Sequence, residues 1–304
     1  MTTLLTPGLH AGVPEAAYRE DPGINVSLLK VGVEGSAADM LAYTRHPDPP
    51  ADAMEFGTAV HAYLLEPERF RSTWVVKPKI ERRSNVGKAE DAAWDAEHVG
   101  CTVIDADKLA LIEGMGRAIE AHPIASKIIR AAGDREVVAI WNHSATGIRC
   151  KARIDYANLA VGLLVDVKSA ADPRPTPWRR QAARLHYAMQ VAWYQRGYSI
   201  AADMDTDFVF IVPGSKATNG RHIVGVYSLE PEWVEAGERM CNTVLAGWLE
   251  CVESGVYPDH CDDQTELRAP TWALLESPVV CPAKQAPARG TLEDPTYDNA
   301  ALFL

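Results

Sequence analysis

The stretch 149–168, RCKARIDYANLAVGLLVDVK, decides how the chain is read. Its two ends are β-rich, and Asn158 and Gly162 supply turn chemistry between them, so it predicts a β-hairpin. With the turn centred near Ala160–Val161, Asp155 and Asp166 face each other across the two strands. Directly opposed Cβ atoms in such a pair lie about 4.5–5.5 Å apart. Strand alternation puts Asp166 and Lys168 on one face and points Val167 away from it. Two carboxylates and a lysine then crowd one patch of sheet beside the apolar run Leu163–Val165. Like charges are rarely buried together without a cation to hold them, so the patch reads as a metal site. The competing reading is a plain salt bridge in which Lys168 neutralises one aspartate on a solvated sheet face.

Around the hairpin, the chain alternates helical and extended periods. Residues 1–23 are punctuated by Pro and Gly and predict irregular structure. Asn25–Tyr43 carries a helical pattern with Ser27 and Ser36 as N-cap candidates. HPDPP (46–50) breaks it, and Asp52–Leu65 is a helix with Phe56, Val60, Tyr63 and Leu64 on its apolar face. His61 lies beside that face, where a histidine is ordinarily structural. Gly57, one turn earlier, leaves room for another backbone or a ligand to approach. KPKIERRSNVGK (77–88) is the most basic loop of the protein. Its Lys79, Arg82, Arg83 and Lys88 suit either a solvated face or contacts to phosphates.

Two helices follow, Glu90–His98 and Asp105–His122, the second capped by Asp105, and Pro123 opens a short third. Strands are predicted over 136–142, 148–156 and 163–169, the first two joined by a turn at His143–Gly147. Thr176–Gly197 reads as one long helix with Trp178, Ala182, Leu185, Met189, Ala192 and Trp193 on its apolar face. Gln190 and Tyr194 are neighbours on its surface, and Arg179, Arg180 and Arg184 make its first half basic. Strands at 207–213 and 222–229 precede an amphipathic helix, Pro231–Gly255. No internal repeat is visible. The order calls for an α/β fold, a central mixed β-sheet flanked by helices.

Composition narrows the function. The 304 residues carry a formal net charge of −11, which argues against a general nucleic-acid coat protein. A nucleic-acid enzyme whose positive charge is confined to one groove remains compatible. No apolar run is long enough to span a membrane, and the first residues lack the basic and apolar regions of a secretory signal. Cys101, Cys150, Cys241, Cys251, Cys261 and Cys281 form no C-x-x-C, so neither a zinc ribbon nor an iron–sulfur cluster is indicated. Reduced thiols in a cytoplasmic protein fit this usage.

A strand meander bearing Asp155 and Asp166-Val167-Lys168, followed by a helix bearing Gln190 and Tyr194, resembles the PD-(D/E)xK nuclease superfamily. FGTAVHAYLLEPERF (56–70), KPKIERRSNVGK and GIRCKARID (147–155) sharpen this to the RecE-type exonuclease family (exodeoxyribonuclease VIII, of phages and prophages). INVSLLK (24–30) and PTWALLE (270–276) resemble that family's flanking segments. The likeness covers roughly residues 18–276. One departure is Ala37, where the family usually has a proline after the serine.

The resemblance implies a restriction-endonuclease-like core with N-terminal helical additions, set between an arm (1–24) and, beyond the exonuclease domain (25–276), a tail (277–304) whose Pro/Ala-rich composition predicts flexibility. It implies His61, Asp155 and Asp166 as metal ligands, with the Val167 carbonyl also facing the ion. Lys168 matches the catalytic lysine, Glu136 an acidic position near the same site, and Gln190 and Tyr194 the helix motif that supports the site and contacts DNA. Mg²⁺ is the hard cation such carboxylates favour, and an imidazole ligand admits Mn²⁺ as a substitute. The expected activity is 5′→3′ exonucleolytic hydrolysis of one strand of linear double-stranded DNA, leaving 3′ overhangs for recombination. The implied partners are DNA ends and a single-strand annealing recombinase, with a ring-shaped homo-oligomer threaded by DNA. The alternatives are a structure- or sequence-specific endonuclease of the same superfamily, or a non-catalytic DNA-end binding protein on the same fold.

Overall fold

The structure is a computed structural model that describes residues 4–46 and 52–260. PTWALLE, the tail, Cys261, Cys281 and most of the HPDPP break lie outside the described residues.

In chain order the elements are β1 (Gly8–His10), α1 (Glu15–Glu20), α2 (Val26–Glu34), α3 (Ala37–Arg45), α4 (Asp52–Leu65), α5 (Pro67–Thr73) and β2 (Trp74–Val76). Then come α6 (Asn85–Glu97), β3 (Thr102–Ile104), α7 (Ala106–Ala121), α8 (Ala125–Arg130), β4 (Asp134–Asn142), β5 (Arg149–Asn158) and β6 (Leu163–Val167). The last are α9 (Pro175–Arg184), α10 (Tyr187–Ala202), β7 (Asp207–Pro213), β8 (Val224–Tyr227) and α11 (Pro231–Ser254). Six strands form one sheet in the order β1-β4-β5-β6-β7-β8. Only the β6–β7 pair is parallel, its crossover made by α9 and α10; the other neighbours run antiparallel. β2 and β3 form a separate parallel pair.

The apolar residues of the sheet divide between two cores. Trp141, Ala152, Leu164 and Phe210 pack with residues of α2, α10 and α11, while Tyr156, Val165, Val167 and Ile211 pack with α4 and α7. This is the helix–sheet–helix layering that buries both faces of a sheet. Close helix packing depends on two glycines. A Cβ at Gly197 would lie 2.5 Å from the Trp141 ring, and one at Gly237 would lie 2.3 Å from the Ala188 backbone, so α10 approaches sheet and α11 this closely at points where only glycine fits.

The hairpin register is the predicted one. Asn158 pairs with Leu163, Ala157 with Leu164 and Tyr156 with Val165. Continuing that ladder by one residue sets Asp155 opposite Asp166. Gly162, at φ +62°, closes the turn in the left-handed region that favours glycine.

Several expectations are corrected. The N-terminal segment is not irregular throughout: Gly8–His10 adds an edge strand to β4, and Glu15–Glu20 is helical. Edge pairing uses main-chain groups, so it leaves little trace in side-chain pattern. Asn25, not Ser27, caps α2, accepting from the Leu28 amide at 2.9 Å. Ser36 does cap α3, in a capping box with Asp39. Ala37 is thus the first helical residue, a position that takes proline or alanine equally well. The long helix expected over 176–197 is broken at His186, whose left-handed backbone (φ 51°) separates α9 from α10 without any Gly or Pro.

The N-terminal segment is tied to β5 by charge. Lys151 is 5% exposed, and its ammonium donates to the Tyr18 carbonyl at 2.7 Å and to the Asp21 carbonyl, at the C-terminal end of α1. Arg149 pairs with the Asp21 carboxylate alongside. Lys151→Met is expected to lower the unfolding free energy by about 2–3 kcal/mol, since buried carbonyls lose a charged donor. Urea denaturation measures this, and an unchanged midpoint would show that the lysine contributes nothing net.

Candidate active site

The cluster forms where helices from both faces of the sheet reach the β5–β6 hairpin. α4 is anchored by Ala59, Val60 and Leu65, each at most 1% exposed, and this presents His61 to the hairpin. The His61 Nε2 lies 2.5 Å from the Val167 carbonyl oxygen, and its Nδ1 lies 3.3 Å from Asp155 Oδ2. A carbonyl only accepts, so Nε2 carries the proton and the Nδ1 lone pair faces a carboxylate oxygen. Asp155 Oδ2 also accepts from the Val167 amide at 2.8 Å. Two acceptors face each other across 3.3 Å, a contact that needs a proton or a cation between them.

Glu136 completes this group. One ligand atom from each of His61, Glu136 and Asp155 lies within 4.8 Å of the others. Arg135 pairs with Tyr156 and Val137 with Ile154, while Glu136 between them adopts φ 52° and interrupts the ladder. A non-glycine residue in that region inside a strand is strained, and such strain gathers at functional sites. Arg153 Nε holds the Glu136 carboxylate at 2.6 Å.

Asp166 is held from α10. Its Oδ1 accepts from Gln190 Nε2 on α10 at 2.5 Å and from Lys168 Nζ at 3.0 Å. Its Oδ2 is 2.7 Å from the same ammonium but off its hydrogen-bonding directions, so this buried oxygen makes no hydrogen bond. The break at His186 sets Tyr187 and Gln190 one turn apart on α10, and the Lys168 ammonium stands 5.6 Å from the Tyr187 ring centroid.

The charges are uncompensated on the carboxylate side. Burial, then the neighbouring Asp166 charge, pushes Asp155 up to about 8. Burial and the Asp155 charge likewise raise Glu136. Burial and the Lys168 ammonium lower His61, favouring the neutral ring. For Lys168, burial disfavours the ammonium, but the Asp166 and Asp155 carboxylates outweigh it and hold the pKa above the usual lysine value. A lowered Lys168 would require those carboxylates to be neutralised by a cation.

The donor set fits a hard divalent ion: two carboxylates, a neutral imidazole lone pair and, nearby, a buried carboxylate oxygen without a hydrogen bond. His61, Glu136 and Asp155 would hold it. The Val167 carbonyl, expected to face the ion, accepts from His61 Nε2 and so orients the ring. Metal binding must displace at least one proton from this cluster, because burial and mutual repulsion raise both Asp155, to about 8, and Glu136. Mn²⁺ affinity is therefore expected to rise about tenfold per pH unit from pH 6 to 8 and level off above. Calorimetry across that range checks it; a flat affinity would show that Asp155 is already ionised.

Of the other residues singled out from sequence, Tyr194 packs its ring on Phe208, 6.2 Å between centroids. Burial raises its pKa well above the usual value, with a smaller push from the Asp166, Asp155 and Glu136 charges. A Cβ at Gly57 would meet open space. The basic stretch 77–88 is only partly a loop, because α6 begins at Asn85 under a Ser84 cap and includes Lys88. Its charge is also partly absorbed: Arg82 pairs with Asp91, and Arg83 with Glu81. Lys77, in the same stretch, pairs with Asp91 and Asp95. Lys79 and Lys88 are exposed. On α9, Arg179, Arg180 and Arg184 are exposed and form no ion pair among the described residues. Sequence reasoning missed Arg153, two residues before Asp155 on the same strand, and Tyr187. Period-two spacing pointed to the first; the second needed the helix break.

Sheet topology and the opposed carboxylates with their lysine define a PD-(D/E)xK-type α/β domain. The chain belongs to the family described as PDDEXK-like domain of unknown function (DUF3799), which matches residues 25–270. No curated protein matches it. Among solved structures, a "Putative exonuclease" from Eubacterium rectale superposes with a TM-score of 0.57 at 14% identity, covering 86% of this chain and 94% of that chain. That likeness is one of fold. SSO0001 aligns at 13% identity over 62% of this chain and 85% of that chain with a TM-score of 0.28. Among the described residues, no helix is long and apolar enough to cross a membrane.

Proposed function

We propose that this protein is a divalent-metal-dependent nuclease that resects linear double-stranded DNA from its 5′ ends. The observation that carries the nuclease reading is the facing pair of acceptors, His61 Nδ1 and Asp155 Oδ2, beside a buried Asp166–Lys168 ion pair. A salt bridge on a solvated face would leave neither Asp155 nor Asp166 buried, yet they are 8% and 1% exposed.

A bound Mg²⁺ or Mn²⁺ supplies charge neutralisation for the scissile phosphate and acidification of a water. The chain's own groups do the rest. Asp155, Glu136 and His61 hold the ion, and Arg153 fixes the Glu136 carboxylate. Asp166, itself held by Gln190, fixes Lys168; with the carboxylates neutralised by the ion, the ammonium would lose a proton to solvent, and the neutral Nζ would accept the proton of the attacking water. The unpaired arginines of α9 and the exposed Lys79, Arg82, Arg83 and Lys88 grip the DNA backbone.

The finer terms rest on the resemblance to RecE-type exonucleases. They are 5′→3′ polarity, 3′ overhangs, a single-strand annealing recombinase as partner and a ring-shaped oligomer. Such a ring would reconcile a net charge of −11 with a basic channel. End-labelled linear duplex and covalently closed circular duplex, each incubated with Mg²⁺, test the reading. Loss of the linear substrate alone, label first from 5′ ends, is expected. Cutting of the closed circle would make the protein an endonuclease, and binding of ends without cutting would make it a scaffold.

A further inference from the structure

Helix α2 brings to the site a lysine that the mechanism above does not use. Leu28 and Leu29, 5% and 0% exposed, lock α2 into the core. This seats Lys30 Nζ 5.1 Å from the centroid of the Tyr187 ring, the ring that also carries Lys168 Nζ at 5.6 Å. Two ammonium groups from distant parts of the chain therefore share one aromatic ring, one turn of α10 from Gln190.

Their partners differ. Lys168 is paired with Asp166. Lys30 is half-buried and forms no ion pair among the described residues. Burial and the Lys168 charge lower its pKa to about 8, against smaller opposing pulls from the Asp166 and Glu34 carboxylates, neither of which pairs with it. A cation–π contact of this kind offsets only part of the cost of desolvating an ammonium beside a second one. The missing group is an anion. The non-bridging oxygens of a phosphodiester can accept from both ammonium groups at once.

We propose that Lys30 is a substrate-contacting residue: with Lys168, over the Tyr187 ring, it binds the oxygens of a DNA phosphate at the carboxylate cluster. This deepens the nuclease reading and rests on it. It also gives the segment 24–30 a task in the reaction, in addition to anchoring α2.

The test uses the full chain with Lys30→Met, which keeps the apolar stem on Tyr187, and Lys30→Arg, which keeps the charge. Each is assayed for calorimetric binding of inorganic phosphate, for salt-dependent binding of a short linear duplex without divalent ion, and for KM and kcat on that duplex with Mg²⁺. Lys30→Met is expected to abolish phosphate binding, weaken duplex binding about tenfold at low salt and reduce the log–log salt slope by about one. Lys30→Arg is expected to restore the slope. Lys30→Met with wild-type slope, KM and kcat would overturn the inference while leaving the nuclease reading standing. A folded Lys30→Arg that fails to restore the slope would also overturn it, since a merely structural lysine would behave that way. Wild-type protein that binds phosphate through Lys30 but never cuts DNA would keep the anion site and remove the nuclease reading.

Discussion

Replacing Lys168 with alanine is expected to lower turnover on linear duplex DNA by about 10²–10⁴, the scale of a positioned acid–base group. Mn²⁺ binding should persist, because Lys168 is not among the three residues whose ligand atoms converge. Lys168→Arg separates the possible roles. Arginine would keep the ion pair with Asp166, seen here at 2.7 Å, and so preserve any purely structural contribution. It cannot give up a proton, and its planar guanidinium does not fit where a compact ammonium sits between a carboxylate and the Tyr187 ring. The arginine variant should therefore fail nearly as badly as alanine while unfolding cooperatively like the wild type. Wild-type digestion by Lys168→Arg would reduce Lys168 to a salt-bridge partner and sink the mechanism, though not the fold.

Glu136→Gln carries the second large effect. Removing one of two clustered carboxylates should weaken Mn²⁺ binding by about 100-fold or more, because affinity for hard cations follows ligand charge. Asp155→Asn should do the same. Asp166→Asn should affect turnover more than binding, since Asp166 is committed to Gln190 and Lys168. Calorimetry with Mn²⁺ on the three variants orders them. An unchanged affinity in Glu136→Gln would move the ion to Asp155 and Asp166, the pair expected from sequence.

The hairpin was legible because one rule fixes it: a turn of known length sets the register, and the register sets which aspartates meet. Gln190 was legible only through the helix motif it forms with Tyr194, which resembles that of the PD-(D/E)xK nucleases. What the sequence hid was conformation without a compositional mark. Nothing at His186 announces a left-handed residue, yet that break orients Tyr187 and Gln190. Nothing marks Glu136 as the point where the ladder is interrupted. The basic stretch hid a different thing, pairing across elements. Asp91 and Asp95, a helix away, absorb charge that composition alone counted as free. Lys30 stayed invisible because its neighbours at the site lie more than a hundred residues along the chain.

The most direct test of the central claim is phosphodiester hydrolysis of linear duplex DNA by wild-type protein and by Asp155→Asn, each with chelator, Mg²⁺ or Mn²⁺. Wild-type protein with either ion should release 5′-phosphorylated nucleotides, and chelator or Asp155→Asn should stop the release. Hydrolysis that survives chelation, or an Asp155→Asn protein as active as the wild type, would contradict a metal-dependent site at this hairpin.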